Sequence, residues 1–300
     1  MSWFQSFLEE DIFLLRDYSQ LEVRILAQFS QDKLLCSQFN TGEDIHPQVG
    51  HEILGWPIEV IKKEEKARVI AKGIHFGIIY GSKPKAIWKK CLRYGIKVSL
   101  QEITDAYNRY FKRYRGVKEW IEYAIGYTER CHHSLPTLFG RSRPVRVDDP
   151  GNHESHWANV AVNTPIQGTA GDFALYCLAL IRRNPNYYAL LRHSMRNEIH
   201  DSLVATVILQ VLHEADEKFQ YLMEEHCVTK AHEDFGIKML VPLLTDAKVG
   251  FRFGTMVKFN RNKQDIETVL NAWCEKNAEI ETVFHKDPLR FVDLQRGAVS

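Results

Sequence analysis

Two aspartates, Asp17 and Asp201, stand where apolar runs end, in "LLRDYSQLEVRILA" and "NEIHDSLVATV". Each run is typical of a buried strand, so we expect each carboxylate where a strand meets a turn. Phosphoryl transfer needs little covalent help from a protein and much charge neutralisation. Two carboxylates from distant parts of a chain can hold the divalent cations that supply it. The pair therefore predicts chemistry that makes phosphodiester bonds.

A second pattern lies between the aspartates, in "KARVIAKGIHFGIIYG". Arg68, Lys72, Phe76 and Tyr80 recur every four residues, which places them on one slowly drifting stripe of a helix. The first two are cationic and the last two are aromatic. A triphosphate can lie against the cations while a base stacks on the rings, so the stripe indicates a nucleoside triphosphate site.

Composition sets broad limits on the class of protein. The chain has 300 residues, of which 45% are hydrophobic and 26% charged, enough for a sizeable core in one large domain or two closely joined ones. The net charge of +1 neither supports nor excludes a DNA partner. The six cysteines show no CxxC pair, and no cleavable signal or membrane-length apolar run is present, so we expect a cytoplasmic protein.

The elements that must position these residues follow from periodicity. The run "DIFLLRDY" predicts a strand ending at Asp17, followed by a helix with Ser19 as its N-cap. Helical periodicity dominates from about residue 31 to 133. We then expect a short hairpin around Gly140 and a long helix disrupted near Pro165.

The second half of the chain supplies the remaining strands. "MRNEIHDSLVATVIL" predicts two strands that meet at His200 and Asp201, and "KMLVPLLTDAKVG" predicts another after a charged helix. The result is an α+β fold with an antiparallel sheet backed by helices. From about residue 255 the sequence is polar and irregular, although "DIETVLNAW" can form a helix with Trp273 on its apolar face.

The order of these motifs resembles the C-terminal palm and fingers of family A DNA polymerases, the bacterial polymerase I and bacteriophage polymerase group. "DYSQLEVRILA" is similar to motif A, "RVIAKGIHFGIIYG" to motif B on the fingers helix, and "IHDS" to motif C. "DIH", "YFKRYRGVKEWIE", "TLFGRSR" and "NTPIQGTAGD" also match, so the resemblance runs from about residue 10 to 250. It implies palm at 1–30, helical fingers at 31–133, palm again at 134–254 and an extension of unknown role at 255–300.

The resemblance assigns roles to the motif residues. Asp17 and Asp201 would bind two Mg²⁺ ions, with Mn²⁺ as an alternative, and the backbone carbonyl of Tyr18 would add a ligand. The deoxynucleoside triphosphate site would be formed by Tyr18, Gln20, Glu22, Arg68, Lys72, Phe76 and Tyr80. In this set Glu22 would exclude a ribose 2′-hydroxyl, and Lys72 would neutralise or protonate the leaving group.

Primer-template DNA is the second implied ligand. Gly81 would lie at the templating position together with Tyr80. Asn163, Gln167 and His200 would contact the minor groove, whose acceptors hardly differ between base pairs. Arg141, on the predicted hairpin, is a candidate phosphate contact.

The chain also departs from the family pattern. Ser202 follows the motif C aspartate where glutamate is usual, Asn159 stands where arginine is common, and Gly73 adds flexibility to the fingers helix. No thumb or exonuclease-like sequence precedes motif A. We therefore expect either a gene fragment or a split polymerase whose separate N-terminal half carries the thumb and perhaps the exonuclease. We expect a bacteriophage or similar element as the source and the host cytoplasm as the location.

Two other functions are compatible with parts of the pattern. A catalytically weak or silent DNA-binding scaffold is favoured by Ser202 and the lack of a thumb, but disfavoured by the intact aspartates and stripe. A single-subunit RNA polymerase shares the paired aspartates and is disfavoured by Glu22. The sequence thus predicts template-directed DNA synthesis by a DNA-directed DNA polymerase.

Overall fold

The computed structural model describes residues 11–147, 154–184, 197–199, 201–251, 255–265, 267–273 and 275. The strands are β1 Asp11–Tyr18, β2 Asn197–Ile199, β3 Ser202–Ile208, β4 Thr245–Gly250 and β5 Val257–Phe259. The helices are α1 Leu21–Ser30, α2 Lys33–Asn40, α3 Ile45–Leu54, α4 Ile58–Lys63, α5 Glu65–Ile79, α6 Pro84–Arg93, α7 Leu100–Arg113, α8 Arg115–Cys131, α9 Glu154–Arg183, α10 Leu212–Tyr221 and α11 Cys227–Phe235. A π-helical turn, Leu222–His226, joins α10 to α11, and residues 267–273 are helical.

The strands form one antiparallel sheet in the order β2-β3-β1-β4-β5. β1 lies in the middle, between β3 and β4. Apolar side chains fill its neighbourhood, with Phe13, Leu15, Val204 and Met256 forming one buried cluster. The α+β fold class with an antiparallel sheet and a helical insertion is confirmed.

The chain divides into two compact units. The first, here called the sheet unit, comprises residues 1–21, 171–234 and 243–300, and the second, the helical unit, comprises residues 22–170 and 235–242. The sheet unit contains the whole described sheet with α10 and all of α11 except its last residue, Phe235. The predicted palm and fingers bounds stay a prediction.

Within the helical unit, α3 packs closely against α5. A Cβ added to Gly50 would lie 2.6 Å from the Cβ of Ala71, so the glycine allows the two helices their close approach. α7 begins with a capping box, in which Ser99 and Glu102 satisfy each other's backbone N–H groups. The helical periodicity predicted for this region is confirmed.

Several local predictions need correction. β4 begins at Thr245 rather than near Lys238; Pro242 in the intervening segment has no N–H to donate to a strand partner. Helix α1 begins at Leu21 and follows Gln20, whose φ is 55°, so Ser19 is not the residue next to the helix. Pro165 lies inside an unbroken α9.

Two further predictions were incomplete. The hairpin around Gly140 is a tight loop, in which the N–H of Thr137 donates to the carbonyl of Arg141 over 2.7 Å, with one isolated bridge between His133 and Pro144 instead of two strands. β5 was missed because its three residues, "VKF", are too short for periodicity to register.

Candidate functional site

The first part of the site lies at one end of β1 in the sheet unit. Asp17 is paired in register with Ser202 on β3 and with Asp246 on β4, so the three side chains share one face of the sheet. The N–H of Tyr18 donates to the carbonyl of Asp201 over 3.2 Å. The strand pairing thus places residues 17 and 18 beside residue 201, as the motif pattern predicts.

The opposite face of β1 is anchored by buried polar contacts. The Arg16 guanidinium binds both carboxylate oxygens of Asp216 on α10, each over 2.8 Å. The Tyr18 hydroxyl donates to the carbonyl of Met223 over 2.9 Å and lies 3.4 Å from the sulfur of Cys177. Burial holds the pKa of the Tyr18 hydroxyl well above its usual value, so this group stays protonated.

The chemistry of the donors at this strand end suits a hard divalent cation. Asp17, Asp201 and the Tyr18 carbonyl offer only oxygen atoms, the donors that Mg²⁺ prefers. Among the residues that the structure describes, no group of three or more His, Cys, Asp or Glu side chains is placed to hold a metal.

The second part of the site is the stripe on α5, in the helical unit. Arg68, whose side chain is 45% exposed, forms an ion pair of 2.6 Å with Asp44 at the start of α3. The Lys72 ammonium lies 5.5 Å from the centre of the Phe76 ring, and Phe76 stacks on Tyr80 with 5.8 Å between ring centres and an angle of 8°. The structure brings the four stripe residues onto one surface in the predicted order.

Glu22 joins this surface at its aromatic end, because its carboxylate accepts a short hydrogen bond from the Tyr80 hydroxyl. The next residue after the stripe, Gly81, has φ of 80°, and a Cβ there would lie 2.8 Å from the Asn159 side-chain oxygen. The positive φ favours glycine at this turn, and any larger residue would also have to displace the end of the Asn159 side chain.

Two buried histidines, one on α3 and one on α5, contact each other. Their Nδ1 atoms, in His46 and His75, are 3.0 Å apart, and His75 Nε2 lies 3.1 Å from the Tyr110 hydroxyl on α7. Burial lowers the pKa of His46 to about 4 and that of His75 well below its usual value, with the Lys72 and Arg68 charges adding to the effect on His46. Both rings are neutral at pH 7, so the stripe rests on an uncharged polar core.

A groove along α9 forms the third part, also in the helical unit. It has a volume of about 450 Å³ and includes Arg143, Asn159, Asn163 and Gln167 in its lining. Gln167 is exposed, and the Asn163 side-chain oxygen is buried with no hydrogen-bond partner among the described residues. The loop before α9 packs closely against the helix at Gly168, where an added Cβ would lie 2.7 Å from the Thr137 side chain.

Of the remaining predicted residues, the structure describes Arg141 and Gln20 but not His200. Arg141 is exposed beside this groove and donates to the carbonyl of Gly168 over 3.3 Å. Gln20 has a buried side-chain oxygen without a partner in the described part of the chain. His200 lies outside the described residues, so its predicted contact stays a prediction.

Sequence reasoning missed three polar residues at these sites: Arg16, Asp44 and Asp246. Arg16 carried a signal, since a charged residue inside an apolar strand must find a buried partner. Asp44 stood in the quoted "DIH" motif, but its pairing with Arg68 depends on how α3 and α5 pack. Asp246 faces Asp17 only through the register of β1 and β4, which the sequence does not show locally.

Comparison with known proteins agrees with this arrangement. DNA polymerase family A matches residues 3–255. DNA polymerase I of Caldicellulosiruptor bescii is 30% identical over 239 residues, covering 79% of this chain and 26% of that protein. The DNA polymerase of Bacillus phage SP01 is 30% identical over 253 residues, covering 84% of this chain and 26% of that protein.

A solved structure shares the fold. The POL domain of Pol1 from M. smegmatis, a complex with DNA primer-template and dNTP, matches with a TM-score of 0.64 and 24% identity, over 83% of this chain and 41% of that one. The antiparallel sheet and the helical insertion together have the fold of a polymerase domain. The chain belongs to DNA polymerase family A, and it spans about a quarter of the length of the two curated relatives described above.

Within the residues that the structure describes, we find no helix with the length and apolar character that crossing a bilayer requires.

Proposed function

We propose that this chain carries the catalytic part of a DNA-directed DNA polymerase and performs template-directed synthesis by two-metal nucleotidyl transfer. The observation that carries the proposal is the hydrogen bond of 3.2 Å between the Tyr18 N–H and the Asp201 carbonyl. It joins the two strand ends that bear the motif aspartates. Family membership and the order of the motifs support the same activity.

Asp17, Asp201 and the Tyr18 carbonyl would hold the divalent cations. When bound, two such ions activate the primer 3′-hydroxyl for attack on the α-phosphate and stabilise the departing pyrophosphate. Asp17 is fixed for this role because its neighbours Arg16 and Tyr18 are both anchored on the opposite face of the sheet. The anchored strand therefore holds the backbone that carries Asp17 in place.

The α5 stripe would bind the incoming nucleotide. Arg68 offers five N–H donors, so it can contact a triphosphate while it keeps part of its contact with Asp44. Lys72 is exposed and would neutralise the leaving group or give it a proton. The stacked rings of Phe76 and Tyr80 offer an apolar surface for the sugar and base.

Glu22 would select the sugar. Its carboxylate is held by the Tyr80 hydroxyl next to that surface. A side chain fixed in this way can occupy the space that a ribose 2′-hydroxyl would need, which favours deoxynucleotides.

The α9 groove would bind primer-template DNA. Asn163 and Gln167 offer amide groups for minor-groove acceptors, which suits an enzyme that copies any sequence. Arg141 would contact a phosphate, and Gly81 would lie at the templating position. His200 completes the proposed DNA contacts.

The remaining polymerase elements would act with this chain. The earlier hypothesis of a separate N-terminal half that carries the thumb stays a prediction, as does the cytoplasmic location. A thumb adds phosphate contacts, each of which contributes salt-dependent affinity for DNA. On this proposal the chain alone would bind DNA weakly and would extend primers efficiently when a thumb-bearing polypeptide is added.

Primer extension in Mg²⁺ tests the function. Asp17→Ala and Asp201→Ala should each reduce extension by the reconstituted enzyme at least about 1000-fold, because metal-assisted charge stabilisation is lost. Asp105→Ala, a change of an exposed aspartate on α7, is the matched control and should leave the rate unchanged. Retained activity in either motif variant would contradict the assignment.

A further inference from the structure

The segment after residue 255, which lies beyond the family match, is built into both faces of the sheet around β1. β5 pairs with β4 from Val257 to Phe259. Met256 belongs to the buried cluster with Phe13 and Leu15, which share with Asp17 one face of β1. The segment therefore contributes to the core directly under the motif A aspartate.

On the opposite face, the segment adds a charge to a buried ion cluster, which we define as Arg16, Asp216, Glu224 and Arg261. Arg261 donates to Asp216 over 2.9 Å and to the side chain of Gln220 over 2.7 Å. Asp216 is 1% exposed and already accepts two hydrogen bonds from Arg16. One carboxylate oxygen of Asp216, Oδ2, therefore accepts hydrogen bonds from both Arg16 and Arg261.

The cluster is balanced in charge, with two cations and two carboxylates. Arg16 also lies 3.8 Å from Glu224 and donates to the Thr245 hydroxyl over 2.6 Å. Glu224 in turn accepts from the N–H of Thr245 over 2.7 Å. Loss of Arg261 would leave an excess negative charge in a desolvated place, and neighbouring groups would have to rearrange to accommodate it.

The position of the cluster connects it to the proposed metal site. Arg16 immediately precedes Asp17, and Thr245 immediately precedes Asp246, the residue opposite Asp17. A shift of Arg16 or Thr245 therefore moves the main chain that carries the proposed ligands. The segment also holds α10 from the other side, because His213 packs edge-on against Phe259 with 5.4 Å between ring centres and contacts the carbonyl of Gln264 over 3.2 Å.

We propose that Arg261 is a positioning residue for the metal-binding carboxylates, acting through Asp216 and Arg16. This inference rests on the proposed function, since it concerns the same metal site. Arg261 touches neither substrate nor metal, so its effect is on the geometry of Asp17 and the Tyr18 carbonyl. Partners that orient metal ligands are worth large factors in metal affinity even when they do not bind the ion.

The inference can be tested without measuring catalysis, by measuring how tightly the 300-residue chain binds Mn²⁺. Binding is detected as a decrease in the electron paramagnetic resonance signal of the free ion. Arg261→Met should weaken binding roughly tenfold, at the lower end of effects seen for groups that orient ligands. Arg261→Lys restores a cation near Asp216 and should recover part of the affinity. Lys263→Met removes a nearby exposed charge and should change nothing.

A double variant separates positioning from a general loss of structure. In an Asp216→Asn background, Arg261→Met should weaken Mn²⁺ binding no further, because its route to the strand is already broken. If Arg261→Met alone fails to give the wild-type circular dichroism spectrum, Arg261→Gln replaces it, since glutamine keeps one hydrogen bond to Asp216. Wild-type affinity in the folded Arg261 variant would overturn the inference.

Asp17→Ala in the same assay separates this inference from the proposed function. Weaker binding by Asp17→Ala with unchanged binding by the folded Arg261 variant would overturn the inference alone. Unchanged binding by Asp17→Ala would overturn the proposed metal site and the inference with it. Weakening in both, with Lys263→Met unchanged, supports both.

Discussion

Three consecutive residues of β1, Arg16, Asp17 and Tyr18, have different surroundings. The alternation of a strand sends Asp17 to one face and its two neighbours to the other. There the neighbours form buried hydrogen bonds with Asp216 and with the Met223 carbonyl. The backbone on either side of Asp17 is therefore held in place by contacts of its neighbours.

Glu22 and Tyr80 give a prediction about sugar choice. Glu22→Ala opens space beside the stacked rings, so the reconstituted enzyme should incorporate ribonucleotides at least about 10-fold more readily. This is about the discrimination that a difference of one methylene group gives in a binding pocket. Competitive incorporation of a ribonucleotide against its deoxynucleotide measures it.

Tyr80→Phe is the matched variant for that experiment. It removes only the hydroxyl that donates to Glu22, so discrimination should fall less than in Glu22→Ala. Glu119→Ala on α8 changes an exposed glutamate and serves as the control. Unchanged sugar selectivity in Glu22→Ala would remove its proposed role.

His46 gives a prediction about pH. Its pKa is about 4 in the folded protein and about 6.5 in an unfolded chain, so below pH 6.5 the unfolded state binds more protons. Stability is therefore full above pH 6.5 and falls with decreasing pH toward 4. Lowering the pH from 7 to 5 should therefore reduce the free energy of unfolding by about 2 kcal/mol through this histidine.

Denaturant unfolding at pH 7 and pH 5 measures this loss. The difference between the two pH values should shrink in His46→Gln, which cannot take up the proton. His75 acts in the same direction, because burial also lowers its pKa, so some of the loss should remain. His232→Gln, at an exposed position on α11, should keep the wild-type difference; an equal difference in His46→Gln would contradict the account.

At the scale of elements, α3 and α5 form one body within the helical unit. Gly50 meets Ala71 at their crossing, and the Asp44–Arg68 ion pair joins them at one end. Any movement of the stripe helix should therefore carry α3 with it, and His46 with α3.

The glycine at this crossing gives an element-scale prediction. Gly50→Ala places a methyl group 2.6 Å from the Ala71 Cβ, and overpacking of this kind should destabilise the protein by about 1–3 kcal/mol. Gly171→Ala on α9 has open space at its Cβ and should instead stabilise by about 0.5–1 kcal/mol, the helix preference of alanine over glycine. Chemical denaturation compares the two, and equal effects would contradict the packing argument.

The elements also show where sequence reasoning succeeds and where it stops. Strand and helix periods, together with the motif resemblance, predict β1, β3, α5 and α9, because these patterns are local and repeated. Register is not local: the facing of Asp17 and Asp246 depends on residues more than two hundred positions apart. The same holds for Arg16 with Asp216, where the sequence indicates a buried partner but not which one.

At the scale of the whole molecule, charge gives a prediction about DNA binding. The net charge of +1 supplies no overall attraction for a polyanion, so affinity must come from a few local cations such as Arg141 and Arg143. Affinity of the chain alone for primer-template should be weak and should fall steeply with salt.

Primer extension with and without an upstream polymerase half measures the consequence. Adding the half should raise both DNA affinity and the magnitude of the salt slope, because it adds phosphate contacts. The same half combined with the Asp17→Ala chain is the control and should bind DNA without extending the primer. Equal extension with and without the half would contradict the two-part hypothesis.

The match to the family ends at residue 255, which falls between two hydrogen-bonded strands of one sheet. A recombinant fragment or chimera cut there would expose the edge of β4 and strip a hydrophobic anchor, Met256, from beside Phe13. Grafting experiments should accordingly carry the exchange point past Trp273, which packs over Gly250. The segment to be transplanted is thus longer than the segment that matches the family.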